Sequence, residues 1–421
     1  MSDKKAARTT VAAASVNLAK NLIGAGIFSL PTALQRGSTL PGLLTIAITG
    51  GLCGSSFVLI AYLCQKMRCE TYRDIGARAL GPSMAVAIDA SIVLNGFFAC
   101  VSYVILVADF LQKALEGLCG WQGVARPPLI AIVTLFFMLP LSHVRNLSPL
   151  RYTSMLGLCI IGLVWLYVVG DFLGNISIAL ENLQESTFRL DMGIFSTIAI
   201  STGAFKAHYN APRFFQELGS DLHSHVQMVV QAYGAAFLLY ASFALAGYGL
   251  FGSEVLGNVL RNYPSEGNRA ILLAWLGMAF AIVFTYPLVF TSARDSLVLM
   301  CPPLKNALAA YPSAAHIAIT TAGVIAISLV ACGVDDVSLV TGLLGATIGS
   351  ALCWIIPACV YMKVALQSMP SLRDKQVPLL GNAERPPLLV PSRGMLGYAV
   401  LLVVLGTFSA CIGVLGSLGV L

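Results

Sequence analysis

Two short stretches hold most of the residues able to do chemistry. The first is Asn21-Leu22-Ile23-Gly24-Ala25-Gly26-Ile27-Phe28-Ser29-Leu30-Pro31, inside an apolar segment. Two glycines one residue apart and then a proline suit an interrupted helix better than a continuous one. An opening at Gly24-Ala25-Gly26 would free backbone N–H and C=O groups, which a membrane interior tolerates only inside protein or beside a wet cavity. A half-helix beginning near Ile27 would aim its positive end at that cavity and favour a carboxylate. The bland alternative is that the glycines only pack helices closely. The second stretch is Ser201-Thr202-Gly203-Ala204-Phe205-Lys206-Ala207-His208-Tyr209-Asn210-Ala211-Pro212, again small and polar in its middle with a proline after. A few further groups stand out from apolar sequence: Lys20 one turn before the first interruption, Asp109, and Thr285. Asn95, Ser102 and Asp109 recur every seven residues and so share one helical stripe. An acid on such a stripe either works or fastens helices together. All of this is binding chemistry. No nucleophile–base pair or phosphate loop occurs in the polar segments, and the 11 cysteines have no C-x-x-C spacing, so no catalytic residue, metal site or cofactor is expected.

The elements that must position these groups are membrane helices. Of 421 residues, 57% are hydrophobic and only 10% charged, with mean hydropathy +0.82. A globular domain carries about a quarter charged residues, so the composition excludes a soluble protein and gives an all-α polytopic membrane protein. Apolar runs of about twenty residues fall at 11–35, 41–65, 84–113, 127–142, 151–173, 192–217, 226–251, 269–299, 313–332, 337–363 and 395–419, after a polar tail at 1–10. These predict eleven transmembrane helices. The first run is too long for a signal-peptide core and reads as retained. With the N-terminus cytoplasmic, Lys and Arg outside the spans divide seventeen inside to six outside, which puts the C-terminus on the extracellular or lumenal side. The net charge of +6 therefore reflects loop placement and not a nucleic-acid partner. The loop between spans five and six agrees, with Glu181, Glu185, Asp191 and a glycosylation sequon at Asn175 on the outer side. A second sequon at Asn146 falls inside and should be silent.

The two interrupted stretches lie in spans one and six, the corresponding members of two five-span halves, 11–173 and 192–363. An odd number of spans per half inverts the second half relative to the first, and residues 395–419 add one further helix. Paired interruptions at matching places in inverted halves point to the binding site of a secondary transporter rather than to a channel, receptor or membrane enzyme.

Other matches run along the chain. Lys20 is followed by Gly24-Ala25-Gly26-Ile27 and Leu30-Pro31, and Tyr103 by Val107-Ala108-Asp109-Phe110-Leu111. Span six has Phe205, His208, Pro212 and Glu217; span eight has Tyr286-Pro287-Leu288 and Arg294; span ten has Gly345-Ala346, Ile356-Pro357-Ala358 and Tyr361. In this order, on eleven spans, they resemble the amino acid/auxin permease family. The resemblance implies the five-plus-five LeuT-type fold with an eleventh span appended, domain boundaries of 11–419, and secondary transport of amino acids across a lipid bilayer. It implies a substrate carboxylate on the N–H groups of Gly24, Ala25, Gly26 and Ile27, and an ammonium on carbonyls freed near Ile23 and around Ser201, Thr202 and Phe205. Tyr103 either covers that site or is a packing aromatic. Rocking one bundle against the rest would give alternating access. Some relatives carry a disulfide in the outer loops between spans five and six or seven and eight. Those loops have no cysteine here, and Cys119 and Cys332 lie in other outer loops.

The resemblance also bears on coupling. It puts a lysine at the position of Lys20 in several proton-coupled branches, and its charge would repel sodium. Thr285 is the hydroxyl partner either for sodium or for that ammonium. His208 is either a proton relay or a packed residue, since histidine ionises nearest neutrality. Lys206 either binds a carboxylate or reaches a wet vestibule. The only acids well inside spans, Asp89 and Asp109, are off-centre, so neutral substrates and a proton gradient are expected, with sodium coupling as the alternative. A non-transporting amino acid sensor would want a sizeable cytoplasmic domain, and the tails and the 364–394 loop are short. That loop contains Glu384-Arg385-Pro386-Pro387-Leu388-Leu389, which resembles an acidic dileucine sorting signal. The membrane is therefore either the plasma membrane or that of a vacuole or lysosome.

Overall fold

The computed structural model describes residues 9–144, 150–190, 192–265, 268–368 and 393–418. The tail residues Lys4, Lys5 and Arg8, the Asn146 sequon, Asp191 and the Glu384–Leu389 motif lie outside them. Among the described residues all regular structure is helical. Span one is α1 (Val11–Leu22) and α2 (Leu30–Gly37), with a tight turn at Ala25–Ser29 between them. The two parts meet at a bend of 55°. Span two is α3 (Thr39–Met67), followed by a short α4 (Tyr72–Leu80). Span three, α5 (Pro82–Cys119), has 38 residues and is about 57 Å long at 1.5 Å per residue.

Span four runs from α6 (Arg126–Val133) to α7 (Leu139–His143) through a wide turn at Thr134–Met138. Pro140 explains the turn: it lacks the N–H that would bond back to Phe136, and its ring would press on that carbonyl. Pro357 does the same in span ten. There α16 (Val337–Leu344) joins α17 (Ile356–Ser368) through wide turns at Gly345–Gly349 and Ala351–Ile355. Between these spans lie α8 (Leu150–Gly174) and a short α9 (Ile176–Glu185). Span six is α10 (Gly193–Ala204) and α11 (Ala211–Glu217), interrupted at 205–210. Then come α12 (Leu222–Phe251), α13 (Arg269–Met300), α14 (Pro302–Ala310), α15 (Pro312–Cys332) and α18 (Arg393–Ser417).

Nine described helices are long and apolar enough to cross a membrane, or ten with the bent pair of span one. The halves of span six have 12 and 7 residues, each too short to cross alone. Three short helices, α4, α9 and α14, were not expected from the hydropathy of the chain. Span ten is the most enclosed, with 72% of its apolar window buried. It reaches the centre because small residues let backbones touch. A Cβ on Gly203 of α10 would stand 3.0 Å from the Thr341 carbonyl oxygen and 3.6 Å from Gly345 Cα, an approach that any side chain would crowd. The long α5 packs most extensively on α13, and α12 packs on both α1 and α3.

Candidate functional site

Helix α1 ends at Leu22, and its last N–H groups are conventional: Ile23 N–H donates to Ala19 O at 2.8 Å. Gly24 is extended, with φ −136° and ψ −157°. The chain then turns so tightly that Ile27 N–H donates to Gly24 O at 3.3 Å. That N–H is one of the four expected to meet a carboxylate, and it already has an acceptor. Gly26 faces the other break. A Cβ there would lie 3.3 Å from Ala204 Cα and 3.5 Å from Ala204 Cβ. The two interruptions therefore abut, with Gly26 against the last residue of α10. A side chain at 26 would crowd this helix–helix contact. Gly24 needs no such space, since a Cβ there meets nothing nearer than 4.0 Å.

Two tyrosines of α12 hold the freed carbonyls. Tyr240 Oη lies 2.6 Å from Leu22 O and 3.1 Å from Ala204 O, so one phenol bridges both breaks. Tyr233 Oη donates to Phe205 O at 3.2 Å. Phe205 is fully buried, stacks on Tyr233 and meets Tyr240 edge-on. One of the carbonyls expected to face an ammonium is thus partly satisfied from within the protein. Tyr103 is half-buried and neighbours Tyr209 and Tyr240, which brings span three to the same place. The sequence reading missed Tyr233 and Tyr240. Their spacing of seven on one face of span seven was the available signal.

Three polar atoms of span six are enclosed by protein and have no hydrogen-bond partner among the described residues: Ser201 Oγ, Lys206 Nζ and His208 Nδ1. Thr202 Oγ1 instead donates to Ile198 O at 2.7 Å. Lys206 lies beside Cys353 of span ten. A buried ammonium or hydroxyl left unpaired is costly and calls for an explanation.

Other expected site residues lie in different surroundings. His208 is fully buried. Its Nε2 sits 2.7 Å from Ser56 Oγ and 3.0 Å from Cys53 O, and its ring meets Phe57 edge-on. It fastens span six to span two. Thr285 Oγ1 donates to Ala281 O of its own helix at 2.8 Å, keeping lone pairs but no proton for another partner. Lys20 is in the last turn of α1. Asn175 is exposed, and its side chain bonds Asp171. The cysteines, Cys119 and Cys332 included, are free.

Asn95, Ser102 and Asp109 are all buried, as one stripe requires. Asp109 is the most enclosed, 1% exposed. Arg126, at the start of α6, pairs with it at 3.0 Å, Asn258 Nδ2 donates to its Oδ2 at 3.2 Å, and Arg261 approaches to 3.9 Å. Arg126 also bonds Asp335. Segment 252–262 carries Asn258 and Arg261 and crosses this end of the bundle. Leu256 O accepts from Thr32 of α2 at 2.9 Å. The Val259–Asn262 turn touches Ala25–Ser29. Asp89, nearer the other end of α5, pairs with Arg73 of α4.

The family model described as transmembrane amino acid transporter protein matches residues 7–379. The chain belongs to that family. As a transmembrane amino acid transporter protein it is a multi-pass carrier and not an enzyme. It is 27% identical over 361 residues to vacuolar amino acid transporter 5 of Schizosaccharomyces pombe, covering 82% of each chain. It is 25% identical over 406 residues to vacuolar amino acid transporter 2 of Saccharomyces cerevisiae, covering 89% of this chain and 80% of that one. Among solved structures it resembles Mhp1, a nucleobase-cation-symport-1 family transporter in a closed conformation with bromovinylhydantoin bound. The TM-score is 0.56 at 12% identity, over 98% of this chain and 91% of that one. The transporter therefore has the LeuT-type fold.

Proposed function

We propose that this chain is a proton-coupled symporter of neutral amino acids, working by alternating access around its broken spans one and six. We infer eleven spans, with residues 11–173 and 192–363 as inverted halves and 395–419 as the added helix. The observation that carries the reading is the abutment of the two breaks, Gly26 against Ala204, with Tyr240 bridging a freed carbonyl of each. Discontinuous helices that meet at membrane depth are how secondary transporters hold a zwitterion. The Ser201 hydroxyl and the Lys206 ammonium, neither with a hydrogen-bond partner among the described residues, are groups that a bound amino acid would complete. The relatives named as vacuolar transporters favour the membrane of a vacuole or lysosome, with the acidic lumen on the C-terminal side and export to the cytosol.

Purified protein in liposomes tests this directly. Labelled neutral amino acid should enter when the outside is acidified and continue to enter when sodium is replaced by choline. Strict sodium dependence at constant pH would overturn proton coupling. Binding without flux would make the chain a sensor. Location is tested separately: Leu388→Ala with Leu389→Ala should move the tagged protein from internal membranes to the cell surface, and an unchanged distribution removes the sorting signal.

A further inference from the structure

We propose that a crevice between α3, α12 and the start of α18 is a sterol site that supports the break of span six from the membrane side. The crevice has a volume of about 680 Å³. Its mouth is formed by Gly51, Ser55, Val230 and Gly234, which are exposed on helices that cross the membrane. It therefore opens to the bilayer and not to water.

Its floor is part of the site. A Cβ on Gly50 would lie 2.9 Å from Phe205 Cζ, and one on Gly54 3.4 Å from Tyr233 Cγ. Whatever fills the crevice thus presses on Tyr233, the residue that holds the Phe205 carbonyl. The chemistry of the walls selects the occupant. None of the described lining residues carries a charge, so none of them pairs with the phosphate or ammonium of a phospholipid headgroup. The polar feature is a hydrogen bond between Ser55 and Tyr398. Ser55 Oγ donates its proton to Leu52 O at 2.9 Å, so the shared proton belongs to the phenol. Tyr398 Oη then keeps a lone pair free to accept from one ligand hydroxyl. An uncharged ligand with a single hydroxyl fits that description, and among such lipids a rigid fused-ring sterol loses little conformational freedom on binding.

The test uses the full-length protein in phosphatidylcholine liposomes and a diazirine-bearing cholesterol analogue. Irradiation should label peptides of α3, α12 and α18, and unlabelled cholesterol should compete. Gly51→Leu with Gly234→Leu fills the mouth. Both glycines have nothing within 4 Å of a new Cβ, and leucine suits a helix better than glycine. Labelling should fall about tenfold in this variant. Gly162→Leu with Gly170→Leu, equally open positions on α8, should leave it unchanged. Tyr398→Phe should weaken labelling without abolishing it. Undiminished labelling of the filled variant overturns the proposal, as does labelling of these peptides by a diazirine phospholipid in place of the sterol. A second readout rests on the symporter reading: cholesterol should change uptake by the wild type and not by the filled variant. An identical response in both overturns the link to the break. Photolabelling needs no flux, so a chain that carried no amino acid would fail only the uptake measurement.

Discussion

At the scale of single residues, Tyr240 is the side chain on which the two breaks depend together. Tyr240→Phe keeps the ring against Phe205 but leaves Leu22 O and Ala204 O without their shared donor. The expected cost is roughly 1–3 kcal/mol of stability, read as a lower unfolding temperature, with uptake reduced about tenfold or more. Wild-type uptake by this variant would separate the tyrosine from the site. The two glycines of span one give a sharper contrast. Gly26→Val must collide with α10 and should abolish uptake while membrane insertion persists. Gly24→Ala has open space and an ordinary backbone conformation and should transport nearly normally. If both fail alike, the break has a requirement beyond sterics. The glycines themselves were legible in the sequence, because Gly-Ala-Gly before a proline is locally conspicuous. Which glycine mattered was not, because the deciding atom, Ala204 Cα, lies 178 residues away. The same holds for His208. Its type left a proton relay and a packed residue both open, and only the fold reveals Ser56 and Cys53 as its partners.

At the scale of elements, the ion pair between Asp109 and Arg126 ties α5 to α6, and Asn258 adds segment 252–262 to the same knot. Removing one partner leaves the other charge buried. Asp109→Leu and Arg126→Met should each cost about 3–5 kcal/mol, whereas the double change Asp109→Leu with Arg126→Met should cost less than their sum. Thermal unfolding of the four proteins in one detergent measures the coupling, and additive losses would mean that the pair contributes no bond of its own. Arg261, at 3.9 Å and a third exposed, should tolerate Arg261→Ala with a loss under about 1 kcal/mol. Hydropathy marked the long spans well because a bilayer-crossing helix needs about twenty apolar residues. It missed α4, α9 and α14, whose 9 or 10 residues do not form such a run. The partner of Asp109 was hidden for a related reason: nothing local in the sequence says that Arg126 turns inward to an acid of another span.

At the scale of the whole molecule, the native cysteines can test the orientation. Cys119 and Cys332 are exposed at the ends of α5 and α15. An impermeant maleimide should reach both from the side opposite the N-terminus, and Cys301, at the other end of the bundle, only from the N-terminal side. Labelling of Cys119 and Cys332 from the N-terminal side would invert the assignment. The closeness of the two breaks was not legible in the sequence, since it depends on how the halves pack. Span three carries one more consequence. Its two buried acids, Asp89 and Asp109, are twenty residues apart, and each is held by an arginine from a neighbouring element, Arg73 at one end and Arg126 at the other. Twenty helical residues measure about 30 Å, the thickness of a bilayer's hydrocarbon layer. Two arginine-held acids this far apart resist sliding of α5 along its axis, because any shift must break an ion pair at one end or the other.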